Sequence, residues 1–223
     1  MDRILNIYKP TGISSYDVVR QVKKILPGEK IGHGGTLDPF AEGVLLILVG
    51  KTTKQMPQLL SLPKTYEALL RLGIATLSGD GTTAISQQRS VPAFDNGQLK
   101  RVAEKFTGNL QQVPPIYSAK KVNGRPAYRL ARQGIAVQLE PVIVTIYSLN
   151  LTALDNENIW MNVTCAAGTY IRRLGEDIAQ ALGTVGYLAA LKRTAIGDYR
   201  LEDAIKLVDL PNILIETRQE ALI

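Results

Sequence analysis

One cysteine, Cys165, is all the chain carries, so an intrachain disulfide and a cysteine-rich metal cluster are both excluded. One histidine, His33, is equally limiting, because a multi-histidine metal site lacks its parts. Carboxylates remain as ligand types, but no spacing among them suggests a metal, and none is expected. Long apolar runs are missing too. The longest, Val44 to Val49, has six residues, against about 20 for a membrane-spanning helix. The start, Met1-Asp2-Arg3, leads into an apolar segment with no signal-peptide core, and a cytoplasmic home is expected. Repeats and low-complexity tracts are absent as well. The 223 residues are enough to bury a core, as one large domain or a main domain with a small appendage.

Acidic residues are the minority, 20 against 26 basic, giving a net charge of +6 and a pI near 9.4. The excess favours a polyanionic partner, since a positive surface attracts phosphates and releases their counterions. Its placement says more than its size. Lys120, Lys121, Arg125, Arg129 and Arg132 lie in a stretch with no acidic residue, and Tyr117 and Tyr128 offer flat faces for stacking. A solvated helix face explains the same stretch equally well.

The pattern along the chain is mixed. Ser14 with Asp17 reads as a capping box, followed by Val18, Val19, Val22, Ile25 and Leu26 at helical spacing and a stop at Pro27-Gly28. A glycine-rich loop, Gly32 to Pro39, leads to Val44–Val49, short enough for a buried strand. Lys64 to Thr76 alternates, with Tyr66, Ala68, Leu70, Leu72 and Ile74 on one face. Asp95 with Gln98 opens a helix through Leu99, Val102, Ala103 and Phe106, ended by Gly108. Asn123-Gly124 signals a turn, and Ala127 to Gln133 a short helix closed by Gly134. Val142–Leu151 and Ile159–Ala166 read as a hairpin, and Thr169–Leu182 as a helix capped by Gly183. The expected class is α+β, a mixed, largely antiparallel sheet flanked by helices.

Gly50-Lys51-Thr52 looks like the end of a phosphate-binding loop, but Leu45 stands where the motif needs glycine. It reads instead as a strand end and the cap of the next helix. Asp38 is more informative. It follows a glycine-rich turn and precedes Pro39, so stiff backbone can aim its carboxylate. As a lone Asp-Pro it fits a nucleophile, a base or a loop cap.

Lys30 to Leu45, containing Gly32-His33-Gly34-Gly35-Thr36-Leu37-Asp38-Pro39, closely resembles the signature of the TruB family of tRNA pseudouridine synthases. The resemblance continues in the family's order. Lys9 to Ser15 looks like its N-terminal Lys-Pro motif, and Lys64 to Ala68 like the strand bearing its active-site tyrosine. Pro114 to Gly124 resembles the start of its RNA-gripping insertion. Gly168 to Leu174 is similar to the motif with its second tyrosine and its arginine, and Leu191 to Thr194 to a segment whose leucine lines the pocket. Three departures stand out. Tyr8 occupies a position where the family usually has aspartate. The acidic stretch after the central strand keeps only Asp80. The chain ends soon after Leu201–Ala204, too early for the C-terminal PUA domain of many members.

The resemblance implies a pseudouridine synthase catalytic domain over residues 1–223, with an RNA-clamping insertion near 110–140. It implies isomerisation of uridine to pseudouridine in the T loop of tRNA (position 55), after the base is flipped from its stack and without a cofactor. Asp38 would be the catalytic residue. Tyr66 and Tyr170 would stack on the base, with Tyr66 also near the departing proton. Leu191 would line the pocket. Arg172 would pair with Asp38, with Asp80 as a second candidate partner, while Arg173 points about 100° away on a helix and faces surface or phosphate. His33 would meet the RNA around the flipped nucleotide, and the basic run from Lys120 to Arg132 would hold the T arm. A monomer is expected, with tRNA as partner and no membrane. Two other readings stay open: a non-catalytic RNA-binding or RNA-folding module, and a pseudouridine synthase acting on another RNA. Asp38 and Arg172 would be idle in the first of these.

Overall fold

The computed structural model describes residues 2–118, 120–122 and 124–214. In chain order the elements are β1 (Arg3–Lys9), α1 (Ser15–Ile25), β2 (Ile31–His33), β3 (Glu42–Val49), a 3-10 helix (Gly50–Gln55), α2 (Met56–Ser61), β4 (Lys64–Leu72), β5 (Ile74–Thr76) and β6 (Ile85–Gln88). They continue with α3 (Asn96–Lys105), β7 (Gly108–Gln112), β8 (Lys121–Val122), β9 (Arg125–Pro126), α4 (Ala127–Arg132), β10 (Val142–Ala153), β11 (Asn158–Cys165), α5 (Ile171–Ala181), β12 (Gly186–Ile196), β13 (Tyr199–Arg200) and β14 (Ile205–Lys206). The chain divides into two compact units, Met1–Tyr66 with Lys192–Ile223, and Glu67–Leu191.

In the first unit β1 runs antiparallel to β3, from Arg3 opposite Val49 to Lys9 opposite Gly43. Strand β14 adds to β1 in parallel, and β2 to β3 antiparallel. The end of β12 joins β3 in parallel, Lys192 opposite Glu42 and Arg193 opposite Gly43. From Val44 to Val49 strand β3 is apolar, and both of its faces are buried there. Leu45, Ile47 and Val49 pack with Val18, Val19 and Val22 of α1, whereas Val44, Leu46 and Leu48 pack with Leu59 and Ile196. Helix α1 begins at the expected capping box, the Ser14 side chain accepting from the Asp17 N–H and the Asp17 carboxylate from the Ser14 N–H.

In the second unit β10 is antiparallel to both β11 and β7. Strand β4, whose residues fall in both units, alternates buried and half-buried positions from Lys64 to Leu72. Helix α3 is capped by Asp95 and Gln98 as expected. The class is therefore α+β with a large mixed sheet.

Several boundaries differ from the sequence reading. Ile74 does not continue β4: Gly73, at φ 85°, turns the chain, and Ile74 pairs with Gln88 in a separate two-stranded sheet. Gly50-Lys51-Thr52 does not cap a helix by its side chains but forms the first turn of the 3-10 helix itself. Helix α5 starts at Ile171, two residues later than Thr169, with Tyr170 as its N-cap. Strands β1, β7 and β12 are not read from periodicity.

Gly43 shows how closely β3 and β12 approach. Its φ is 111°, and a Cβ there would lie 2.2 Å from the Arg193 carbonyl oxygen. Gly43→Ala combines backbone strain with a backbone clash and is expected to cost about 3 kcal/mol or more. For a chain of this size that lowers Tm by about 6–12 °C in a thermal melt. An unchanged Tm would mean the two strands can separate at no cost.

Candidate active site

In the first unit the loop carrying Asp38 is pinned from several sides. The buried Ser15 hydroxyl accepts from the Leu37 N–H at 2.8 Å and lies 3.1 Å from the Leu37 carbonyl, to which it donates. The Gly12 N–H donates to the Pro39 carbonyl at 2.8 Å, and the Ala41 N–H to the Asp38 carbonyl at 3.1 Å. The Gly34 N–H donates to Leu46 at 2.8 Å. Gly35, at φ 115°, makes the bend that few other residues would tolerate. Asp38 itself is half-buried. Its side chain is thus carried on a backbone whose course is fixed on both sides, which is what a group aimed at a reacting atom needs.

Two fully buried cations flank this loop. Lys9 has no exposed surface, and its ammonium donates to the Pro10 and Ile13 carbonyls, each at 2.8 Å. Burial lowers its pKa to about 8, against the attraction of the Asp38 carboxylate and with the help of the Arg193 charge. Arg193 is 1% exposed. Its Nε donates to the Val44 carbonyl at 2.7 Å, Nη1 to Thr36 at 3.3 Å and Nη2 to Gly35 at 3.2 Å. Its guanidinium carbon lies 6.0 Å from the centroid of the Tyr66 ring, which is itself buried.

The Tyr8 departure has a physical account. The Tyr8 hydroxyl donates to Glu42 at 2.5 Å, and Lys192 pairs with the same carboxylate at 2.9 Å. That hydrogen bond, followed by burial, pushes the Tyr8 hydroxyl up to about 12. His33 sits on β2 opposite Ile47. Burial lowers its pKa, opposed by a hydrogen bond to the Gly35 backbone and aided by the Arg193 charge, so it is neutral at pH 7. It lines a cavity of about 430 Å³ together with Tyr16, Met56 and Leu60.

In the second unit Asp80 and Arg172 come together, both about 95% buried. Their Nη1 to Oδ2 distance is 3.7 Å. The Asp80 carboxylate also accepts from the Ser78 hydroxyl at 2.7 Å, the Thr82 N–H at 2.9 Å and the Thr82 hydroxyl. Arg172 donates Nη1 to the Ser78 carbonyl at 2.5 Å and Nη2 to the Tyr117 carbonyl at 2.9 Å. Tyr170 is half-buried at the start of α5, which has no side-chain cap of its own. The buried Gln112 amide anchors the N-cap residue itself, accepting from the Tyr170 N–H at 2.8 Å and donating to its carbonyl at 3.1 Å. Leu191 is buried on β12.

Arg173, expected to face surface or phosphate, is half-exposed. It pairs with Asp177 at 2.7 Å and approaches Glu176 at 3.7 Å, so carboxylates of its own helix absorb its charge. The basic stretch forms the β8–β9 hairpin and α4. Lys121, Arg125 and Arg129 are exposed and have no carboxylate partner among the described residues. Arg125 donates to Gln133 at 2.8 Å, and Arg129 lies over the Tyr128 ring at 6.0 Å. Lys120 is half-buried, its ammonium 3.4 Å from the Glu140 carbonyl. Asn123 of the expected turn, and the side chain of Arg132, lie outside the described residues.

Sequence reasoning did not single out Lys9, Arg193 or Gln112 as site residues. A signal existed for the first two. Alternation from Leu5 and Ile7 turns Lys9 inward, and alternation from Leu191 does the same for Arg193. Among the described residues no group of three or more histidine, cysteine, aspartate or glutamate side chains could hold a metal ion. No helix among them is long and apolar enough to cross a membrane.

Residues 23–171 match the family model described as TruB family pseudouridylate synthase (N terminal domain). Residues 172–223 match the tRNA pseudouridylate synthase B C-terminal domain. The chain is 41% identical over 223 residues to tRNA pseudouridine synthase B of Dechloromonas aromatica, covering 100% of this chain and 74% of that protein. It is 40% identical to the protein of the same name from Psychrobacter cryohalolentis, covering 99% of this chain but 63% of that one. Among solved structures, a Cbf5-Nop10-Gar1 complex matches with a TM-score of 0.74 and 29% identity, over 98% of this chain and 56% of the other. A family model spanning most of the chain and relatives near 40% identity lead to one conclusion: the chain belongs to the TruB family of pseudouridylate synthases.

Proposed function

We propose that the protein isomerises uridine to pseudouridine in the T loop of tRNA, at position 55, with Asp38 as nucleophile. The reaction breaks the bond between N1 and the sugar, turns the base, and joins C5 to the same sugar carbon. The proton leaves C5 and N1 ends protonated, so atoms and electrons balance without a redox partner. The observation that carries this reading is the anchoring of the Asp38 loop by Ser15, Gly12 and Arg193, which presents one carboxylate in a fixed place. Tyr66 and Tyr170 replace the stacking that the uridine loses on flipping, Leu191 closes the pocket, and His33, neutral, contacts the RNA around it. Arg172 and Asp80 hold that machinery in place. The test is incubation with an unmodified tRNA transcript, followed by chemical mapping at single-nucleotide resolution. Pseudouridine at position 55 is the expected result. No pseudouridine in any RNA offered would favour a binding module instead, and modification elsewhere would change the substrate.

The segment near 110–140 is the proposed RNA clamp. Its exposed cations, Lys121, Arg125 and Arg129, neutralise phosphates of the T arm. Replacing the three together by alanine is expected to flatten the slope of log affinity against log salt by about 2–3, at about 0.7–0.9 for each phosphate left without its cation. Turnover at saturating tRNA should change far less. Filter-binding titrations at several salt concentrations measure this, and an unchanged slope would return these residues to the solvated-face reading.

A further inference from the structure

We propose that Arg193 is a positioning residue that holds the Asp38 loop and the Tyr66 ring in one fixed geometry. The proposal rests on the reading of Asp38 as nucleophile. Burying a guanidinium is costly unless its donors are satisfied, and packing alone would be served by leucine or methionine. The donors of Arg193 are spent on backbone carbonyls that bracket Asp38: Gly35 and Thr36 before it, Val44 after it. A planar fork can hold such diverging carbonyls at once, whereas a lysine ammonium is a single point. The same guanidinium lies 6.0 Å from the Tyr66 ring. Its neighbour Lys192 ties the start of β3 through Glu42, so adjacent residues of β12 fix both flanks of the loop.

Arg193→Lys and Arg193→Gln in the full chain test this. The rate constant is read in single turnover with enzyme saturating over unmodified tRNA transcript, where an unfolded fraction lowers amplitude but not rate. That constant is expected to fall about 100-fold in Arg193→Gln and about tenfold in Arg193→Lys, the scale of a small misplacement of a reacting group. The Kd for tRNA should stay within about twofold. Independently of activity, the Ala41 amide, which bonds to the Asp38 carbonyl at 3.1 Å, should lose at least about tenfold of its hydrogen-exchange protection relative to β3 amides. A lower Tm with an unchanged rate constant and unchanged relative protection of Ala41 would make Arg193 merely structural and overturn the proposal. Should Arg193→Gln fail to fold, Arg193→Lys decides by the same readouts. Should the wild type form no pseudouridine, the proposed function fails, and Ala41 exchange in Arg193→Lys still decides whether Arg193 fixes the loop.

Discussion

Asp38→Asn is expected to abolish pseudouridine formation, by about 10⁴-fold or more, while tRNA affinity stays within about twofold. The amide matches the carboxylate in size but lacks its charge and nucleophilicity. The anchors around it are made by backbone at Leu37, Asp38 and Pro39, so the loop should keep its course. A second consequence follows from Lys9, whose titration near pH 8 is held up partly by the Asp38 carboxylate. Removing that charge should shift the Lys9 pKa further down, visible by NMR of its side-chain nitrogen. Turnover within tenfold of wild type, in a preparation verified by mass spectrometry, would mean that Asp38 is a loop residue and the chemistry lies elsewhere.

What the sequence made legible follows from how local each signal is. The capping boxes at Ser14 and Asp95 are local chemistry and appear as expected. The apolar run of β3 was readable because a strand buried on both faces has no polar side. The role of Ser15 was not, since its partner Leu37 lies 22 residues away and no spacing encodes the contact. Gln112 is a sharper case. No pattern marks it, yet its amide holds the backbone of Tyr170, 58 residues on, at the start of α5. The break after Leu72 was hidden because Ile74 keeps the alternating pattern while Gly73 changes the chain's direction. Motif resemblance singled out Asp38, Tyr66 and Arg172 as candidates, but the residues that hold them come from distant parts of the chain. Those are fixed by packing, not by pattern.

Arg172→Lys is expected to lower both stability and turnover. The guanidinium joins three separate stretches of the second unit: its own helix α5, the Ser78–Asp80 turn and the Tyr117 segment leading into the basic hairpin. Lysine keeps the charge and can remake one of these bonds, but not the fork. Each charge-assisted hydrogen bond removed costs about 1.5–3 kcal/mol. A net loss of about 2–3 kcal/mol then lowers Tm by about 4–12 °C. On the role proposed for Arg172, turnover should fall about 100-fold, because lysine cannot hold the turn and the Tyr117 segment as the fork does. Arg172→Met goes further. It leaves the buried Asp80 carboxylate without its cation, for which about 3–5 kcal/mol is usual. The low end is expected here, since Ser78 and Thr82 still donate to that carboxylate. Adding Asp80→Asn to Arg172→Met should recover part of the stability, by removing the orphaned charge, without restoring turnover. Arg173→Lys, whose partners are partly exposed carboxylates on its own helix, should stay within about 0.5 kcal/mol of wild type. If Arg172→Lys melts and turns over like wild type while Arg173→Lys does not, the wrong arginine of the pair has been placed in the site.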